Sequence, residues 1–289
     1  MILRLRDREL DLSDPVLMGI VNATPDSFSD PQRPKGPDEL AERGLRIAEE
    51  GAAIVDVGGE SGRTDTEAVP VEEEIARVVP VVQRLAGRGA LVSVDTWRGP
   101  VARAALDAGA AMINDVSGLT DETVAVACAA SGAALVITHT EIPPKTKAFP
   151  HYDDVVTSVC GFLDEGMAAA RAAGVGEDRM VLDPGIDLAK TPAESIELLQ
   201  RLPDLTRLGR PLLLAVSRKD FVGALTERPP ADRDAGTLAA VGAAVEGGAR
   251  IIRVHDVPGA RDYLRVHDAL ANGTTERLEL APELRSEAV

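Results

Sequence analysis

Short apolar runs recur along the chain, and each stops at or beside a polar residue. Residues 16–21 run into Asn22, 53–57 into the turn Gly58-Gly59-Glu60, 91–94 into Asp95 and 112–113 into Asn114. Residues 135–137 lead to His139, 180–182 into Asp183, 212–216 into Ser217 and 251–252 into Arg253. A run apolar at consecutive positions buries both faces, which marks a strand inside a parallel sheet. Helical spacing fills the gaps, over 38–50, 72–85, 101–108, 122–130, 155–173, 193–202, 237–246 and 260–270. Pro80 predicts a kink in the second of these. The stretches 50–56, 108–114, 131–137 and 247–253 resemble one another. In each, a helix ends near Gly and an apolar strand follows at once, the joint of a repeated α/β unit. Eight strands alternating with eight helices predict one closed (β/α)₈ barrel, a TIM-barrel architecture, over residues 15–271. Residues 1–14 read as an N-terminal addition, and the polar, Glu-rich stretch 272–289 as a peripheral tail.

Composition narrows this picture. A chain of 289 residues suits one barrel. With 45% hydrophobic but only 2% aromatic residues, the core must be built from Val, Leu, Ile and Ala. A net charge of −16 disfavours nucleic acid and anionic membranes as partners, though not a small anion held by a few convergent cations. Cys128 and Cys160 have no metal or disulfide spacing, so they read as reduced thiols of a cytoplasmic protein. The first ten residues lack the apolar core of a secretion signal, and no run is long enough to span a bilayer.

In a barrel of this kind the chemistry gathers where strands end. Asp95, Asn114, Asp183 and Lys219 stand at or just beyond four strand ends. Two carboxylates, an amide and an ammonium offer the donors and acceptors that hold a flat polar heterocycle. Against that, each could merely cap the next helix or pair with a neighbour, Asp95 above all, but four such groups at strand ends weigh against that reading. Arg253 and His255 follow the last strand and Asn22 ends the first, its neighbour across the closure. A guanidinium fork beside an imidazole suits phosphate oxygens, and a carboxamide oxygen suits Mg²⁺, which shares its ligands with substrate phosphates. The competing reading pairs Arg253 with Asp256. Ser217-Arg218-Lys219 is too short to carry weight on spacing alone. His139 is either catalytic or a core histidine satisfied by backbone. Long loops at 23–37, 58–71 and 140–153 lie on the same rim.

Together these motifs resemble the dihydropteroate synthase family. Residues 18–30 (MGIVNATPDSFSD), 56–61 (DVGGES), 93–96 (SVDT), 113–118 (INDVSG), 182–186 (LDPGI), 217–219 (SRK) and 253–256 (RVHD) match the family's signatures in order, over about 15–270. The resemblance implies an enzyme, a transferase of folate biosynthesis that joins 6-hydroxymethyl-7,8-dihydropterin diphosphate to p-aminobenzoate with loss of diphosphate. It gives Asp95, Asn114, Asp183 and Lys219 to the pterin. Arg253, His255 and Asn22, with Mg²⁺ on Asn22, would hold the diphosphate. Ser217 and Arg63 join the substrate-binding set, and Asp95, Asp183, Lys219 and Arg253 would act catalytically. A homodimer and sulfonamide-type inhibitors are further implications.

The chain departs from the family around the second substrate. Gly62-Arg63-Thr64-Asp65 replaces Thr-Arg-Pro-Gly, and Asp187-Leu188-Ala189-Lys190 replaces Gly-Phe-Gly-Lys. Glu194-Ser195 replaces His-Asn. Thr138-His139-Thr140-Glu141, with Pro143-Pro144-Lys145-Thr146-Lys147 after it, replaces Met-His-Met-Gln. Asp65, Asp187 and Glu141 are expected to make the arylamine side more acidic. The alternative is therefore a divergent paralogue that binds the pterin diphosphate but uses another nucleophile or lacks synthase activity. A non-catalytic binding protein has no need of Lys219, Arg253 and Asn22 together, and a methyltetrahydrofolate-dependent methyltransferase barrel has no need of the 22–30 signature.

Overall fold

A computed structural model describes residues 1–24, 36–61, 67–273 and 278. Two short strands open the chain, β1 (Ile2–Leu5) and β2 (Arg8–Asp11), paired antiparallel about a turn in which Arg6 is left-handed. Eight parallel strands follow: β3 (Val16–Asn22), β4 (Ala52–Gly58), β5 (Val92–Asp95), β6 (Met112–Asp115), β7 (Ala134–Thr138), β8 (Met180–Asp183), β9 (Leu213–Leu214) and β10 (Ile251–Val254). Their order is β8-β7-β6-β5-β4-β3-β10-β9, and a bridge between Leu182 and Leu212 brings the two ends of the row together. The fold is the (β/α)₈ barrel that the apolar runs predict.

The helices are α1 (Pro37–Glu49), α2 (Val71–Gly87), α3 (Gly99–Asp107), α4 (Glu122–Ser131), α5 (Val155–Ala172), α6 (Pro192–Gln200), α7 (Leu202–Thr206), α8 (Asp220–Thr226), α9 (Asp234–Glu246) and α10 (Val257–Asn272). Several open on Pro within the first two positions, where a missing N–H costs nothing. That is why α3 and α10 begin two or three residues earlier than their apolar spacing suggests. The short α7 and α8 lack enough turns to show a period. The helix α2 runs unbroken through Pro80, burying Val78, Val81, Val82 and Leu85. The seventh barrel strand is only two residues long, shorter than the apolar run 212–216, and the chain then turns at Arg218, left-handed at φ 59°.

Two apolar layers result. One lies between the sheet and the helices, and the other fills the barrel with Met18, Ile54, Met112, Val136, Val181, Leu213 and Ile251. Leu3, Leu5 and Leu12 belong to the inner layer, so the N-terminal hairpin closes the bottom of the barrel. The polar side chains are left to the opposite rim. No helix among the described residues is long and apolar enough to cross a membrane.

Candidate active site

Strand register builds the site. Asn22 pairs with Gly58, Gly58 with Asp95 and Asp95 with Asn114, so these four positions form one row across β3–β6. Asp56 lies two residues earlier on β4 and is fully buried. Arg253, reaching from β10, donates through Nε to Asp56 at 2.7 Å and through Nη2 to Asp95 at 2.9 Å. Asn114 donates its amide to the same Asp56 oxygen at 3.2 Å. The carboxylates, amide and guanidinium thus form one network, and Asn114 Oδ1 and Asp56 Oδ1 stay buried without a hydrogen bond. Burial works against the charge of Arg253, yet Asp56 and Asp95 outweigh it and hold its pKa above the usual value. Asp95 is pushed up to about 7, chiefly by desolvation, with Arg253 opposing and Asp56 reinforcing the rise. The alternative partner of Arg253 is ruled out: Asp256 instead caps α10, accepting from Gly259 N at 3.1 Å.

Asp183 ends β8 and accepts from Gly185 N at 2.7 Å, while burial raises its pKa. Lys219 is half-buried, and its ammonium donates to the Ile186 carbonyl at 2.9 Å. Desolvation lowers the pKa of Lys219, against the pull of Asp187 and Asp183. Ser217 Oγ lies 2.9 Å from His255 Nδ1, joining β9 to β10. Arg218 turns outward onto Asp234 at 2.9 Å. Asn22 is exposed at the mouth, where the absence of a side chain at Gly58 keeps space beside Asn22 Oδ1 and Asp95. Arg63 and Asp65 lie outside the described residues. The other named positions gather on one rim.

Three features were not legible from the strand ends. Asp56 ties the network together but sits inside an apolar strand. Its signal was the repeated joint, in which Asp56, Asn114 and Arg253 hold the same position of their seven-residue stretches. Lys190 is buried, its ammonium 2.8 Å from His139 Nδ1, 3.0 Å from Gly185 O and 2.9 Å from Leu188 O. Desolvation drops the Lys190 pKa to about 7 and that of His139 to about 3. His139 is therefore a neutral core residue whose Nδ1 faces Lys190, while its Nε2 stays buried without a hydrogen bond. Finally, of the acids expected on the arylamine side, Asp187 accepts from Ser195 Oγ at 3.0 Å and from the Asp220 backbone N–H, and Glu141 stands 3.6 Å from the neutral His139 ring.

A rim of convergent polar groups over an apolar barrel is a pocket for a flat polar ligand beside an anion. Comparison with known proteins gives that pocket a lineage. Residues 18–255 match the family described as pterin binding enzyme. The chain belongs to this family, among the dihydropteroate synthases. It is 42% identical over 266 residues to the dihydropteroate synthase of Mycobacterium leprae, covering 89% of this chain and 94% of that one. The Xanthomonas albilineans enzyme solved with 4-aminobenzoic acid superimposes with a TM-score of 0.88 at 44% identity, over 94% of this chain and 98% of that one. A structure of the same enzyme with 7,8-dihydropteroate gives 0.85 at 43%, over 94% and 99% of the two chains. The Yersinia pestis enzyme in a sulfonamide drug complex gives 0.88 at 37%, over 95% and 100%.

Proposed function

We propose that this chain condenses 6-hydroxymethyl-7,8-dihydropterin diphosphate with p-aminobenzoate, releasing diphosphate and forming 7,8-dihydropteroate. The observation that carries this reading is the joined set of Asp56, Asp95, Asn114 and Arg253, with Asp183 and Lys219 across the mouth. The heterocycle lies against these groups. Asp183 and Asp95 accept from its N–H and amino groups, Asn114 offers a carbonyl oxygen, and Lys219 donates to a ring acceptor. Arg253 then occupies the border between ring and diphosphate. Asp56 and Asp95 hold its guanidinium in place before substrate arrives, so little reorganisation is needed as charge develops.

In the reaction the bond from the exocyclic methylene to the diphosphate oxygen breaks, and its electron pair leaves with the oxygen. Asp95 and Asp183 stabilise the cationic pterin that remains. The arylamine nitrogen bonds to the methylene and loses a proton. Arg253, with His255 and Ser217 beside it, takes the leaving charge. Asn22, exposed at the mouth, would offer a carboxamide oxygen to Mg²⁺, a hard cation that shares its ligands with substrate phosphates. When bound, the ion would neutralise the leaving diphosphate.

Diphosphate release from the pterin diphosphate with Mg²⁺, followed with and without p-aminobenzoate, tests this. Release that requires p-aminobenzoate and yields dihydropteroate is expected. Tight pterin binding without such turnover would overturn the reading and point to another nucleophile.

A further inference from the structure

The loop after β8 reaches Lys219 from two consecutive residues. The Ile186 carbonyl accepts from the Lys219 ammonium at 2.9 Å, and the Asp187 carboxylate accepts from the backbone N–H of Asp220, the next residue along. The first contact holds the tip of the lysine side chain, and the second holds the backbone at its root. Asp187 is itself held. Its carboxylate accepts from Ser195 Oγ at 3.0 Å, and its N–H donates to the same hydroxyl at 3.2 Å. Ser195 is fully buried on α6, so the carboxylate is anchored to a packed helix.

Both members of this pair depart from the family pattern. Asp187 stands where the resemblance places glycine, and Ser195 where it places asparagine. Asp187 keeps a left-handed backbone, φ 63°, which glycine adopts freely and a larger residue adopts at a cost. A side chain carried at a strained position points to what that side chain holds, and here the bonds lead to Lys219.

Charge adds an independent link. Desolvation lowers the Lys219 pKa; among the charges opposing that fall Asp187 leads, followed by Asp183 and Asp220, while Arg253 adds to the lowering. Lys190 and His255 also act on this ammonium, though His255, with a pKa of about 4, is neutral near pH 7. Arg233, at the start of α9, donates to the Lys219 carbonyl at 3.0 Å and pairs with Asp220 at 3.1 Å. An ammonium set among these cations needs a nearby carboxylate to stay charged.

We propose that Asp187 is a positioning residue for Lys219, fixing the root of its side chain and balancing its charge, so that pterin binding in this chain depends on a carboxylate the family pattern does not carry. This rests on the pterin-binding half of the synthase reading.

Calorimetric titration of the full chain with 6-hydroxymethyl-7,8-dihydropterin, lacking diphosphate, tests it from neutral pH to about 10, where an ordinary lysine titrates. Asp187→Asn removes the charge, and Asp187→Gly removes the side chain at a position whose backbone suits glycine. Each is expected to weaken pterin binding about tenfold in the otherwise unaltered chain, and less than about twofold when Lys219→Ala is already present. Asp187→Asn takes away the leading charge that holds the Lys219 pKa up, so the alkaline loss of binding should begin at lower pH than in the unaltered protein. Equal losses with and without Lys219, or an alkaline limb that does not move, would overturn the positioning role while leaving pterin binding intact. Failure of the unaltered protein to bind the pterin would overturn the synthase reading instead.

Discussion

At the scale of single residues, Arg253 shows how the site serves stability and binding together. Its side chain is 18% exposed and bridges Asp56, which is fully buried, and Asp95. Removing one partner of a buried pair strands the other charge and costs about 3–5 kcal/mol. Arg253→Ala is therefore expected to lower the thermal midpoint as well as weaken binding, and calorimetry should show a larger loss for the pterin diphosphate than for the bare pterin. Equal losses for both ligands would remove the anion role. Asp95 makes a second prediction. Its pKa stands near 7 in the folded chain, so below that pH the group is protonated and no longer accepts as a carboxylate. The value of kcat/KM for the pterin diphosphate should fall as pH drops through about 7, and Asp95→Asn should abolish that acidic limb along with most of the activity. A limb that survives in the variant would assign the titration elsewhere.

At the scale of elements, the loop after β8 is the most constrained part of the rim. Gly185, Asp187 and Ala189 all take left-handed backbone, at φ 69°, 63° and 55°. Two of these are not glycine, and each such residue stores about 1–3 kcal/mol that surrounding contacts must offset. Those contacts are visible: Asp187 on Ser195 and Asp220, Lys190 on two loop carbonyls, and Tyr152 Oη donating to Ala189 O at 3.2 Å. A Cβ at Gly185 would sit 2.1 Å from the His139 carbonyl oxygen. Gly185→Ala is thus expected to cost at least about 2–3 kcal/mol in denaturant unfolding, and to weaken pterin binding by moving the N–H that Asp183 accepts. Ala189→Gly, which frees a strained position, should leave the midpoint unchanged or raised. The same loop marks the limit of what the chain's pattern discloses. Strand ends placed Asp95, Asn114, Asp183, Lys219 and Arg253 on one rim because a barrel aligns its strands, and alignment follows from periodicity. The partners of Asp187, and the burial of Lys190 against His139, depend on left-handed turns and contacts between distant loops. No local pattern of residues encodes those.

At the scale of the whole molecule, the barrel separates stability from chemistry. The rim that carries the site is polar, strained and rich in buried carboxylates, and the opposite end is closed by a hairpin that holds no site residue. Leu3, Leu5 and Leu12 are at most 1% exposed and meet Met18, Ile54, Met112, Val136 and Val181 inside the barrel. This role was not legible in residues 1–14, because two four-residue strands leave too short a pattern to read and the partners that bury their leucines are far along the chain. Arg6 adds to the closure, donating to the carbonyls of Leu106 at 2.8 Å and Ala110 at 3.2 Å. If the two ends are independent, damage to the hairpin should appear in the unfolding midpoint and not in catalysis. Leu5→Ala removes a fully buried side chain and is expected to cost about 2–5 kcal/mol. The thermal midpoint should fall, while kcat and both KM values, measured well below that midpoint, stay within twofold. A folded Leu5→Ala protein with impaired turnover would show instead that the packing of the barrel floor is transmitted through the strands to the row formed by Asn22, Gly58, Asp95 and Asn114.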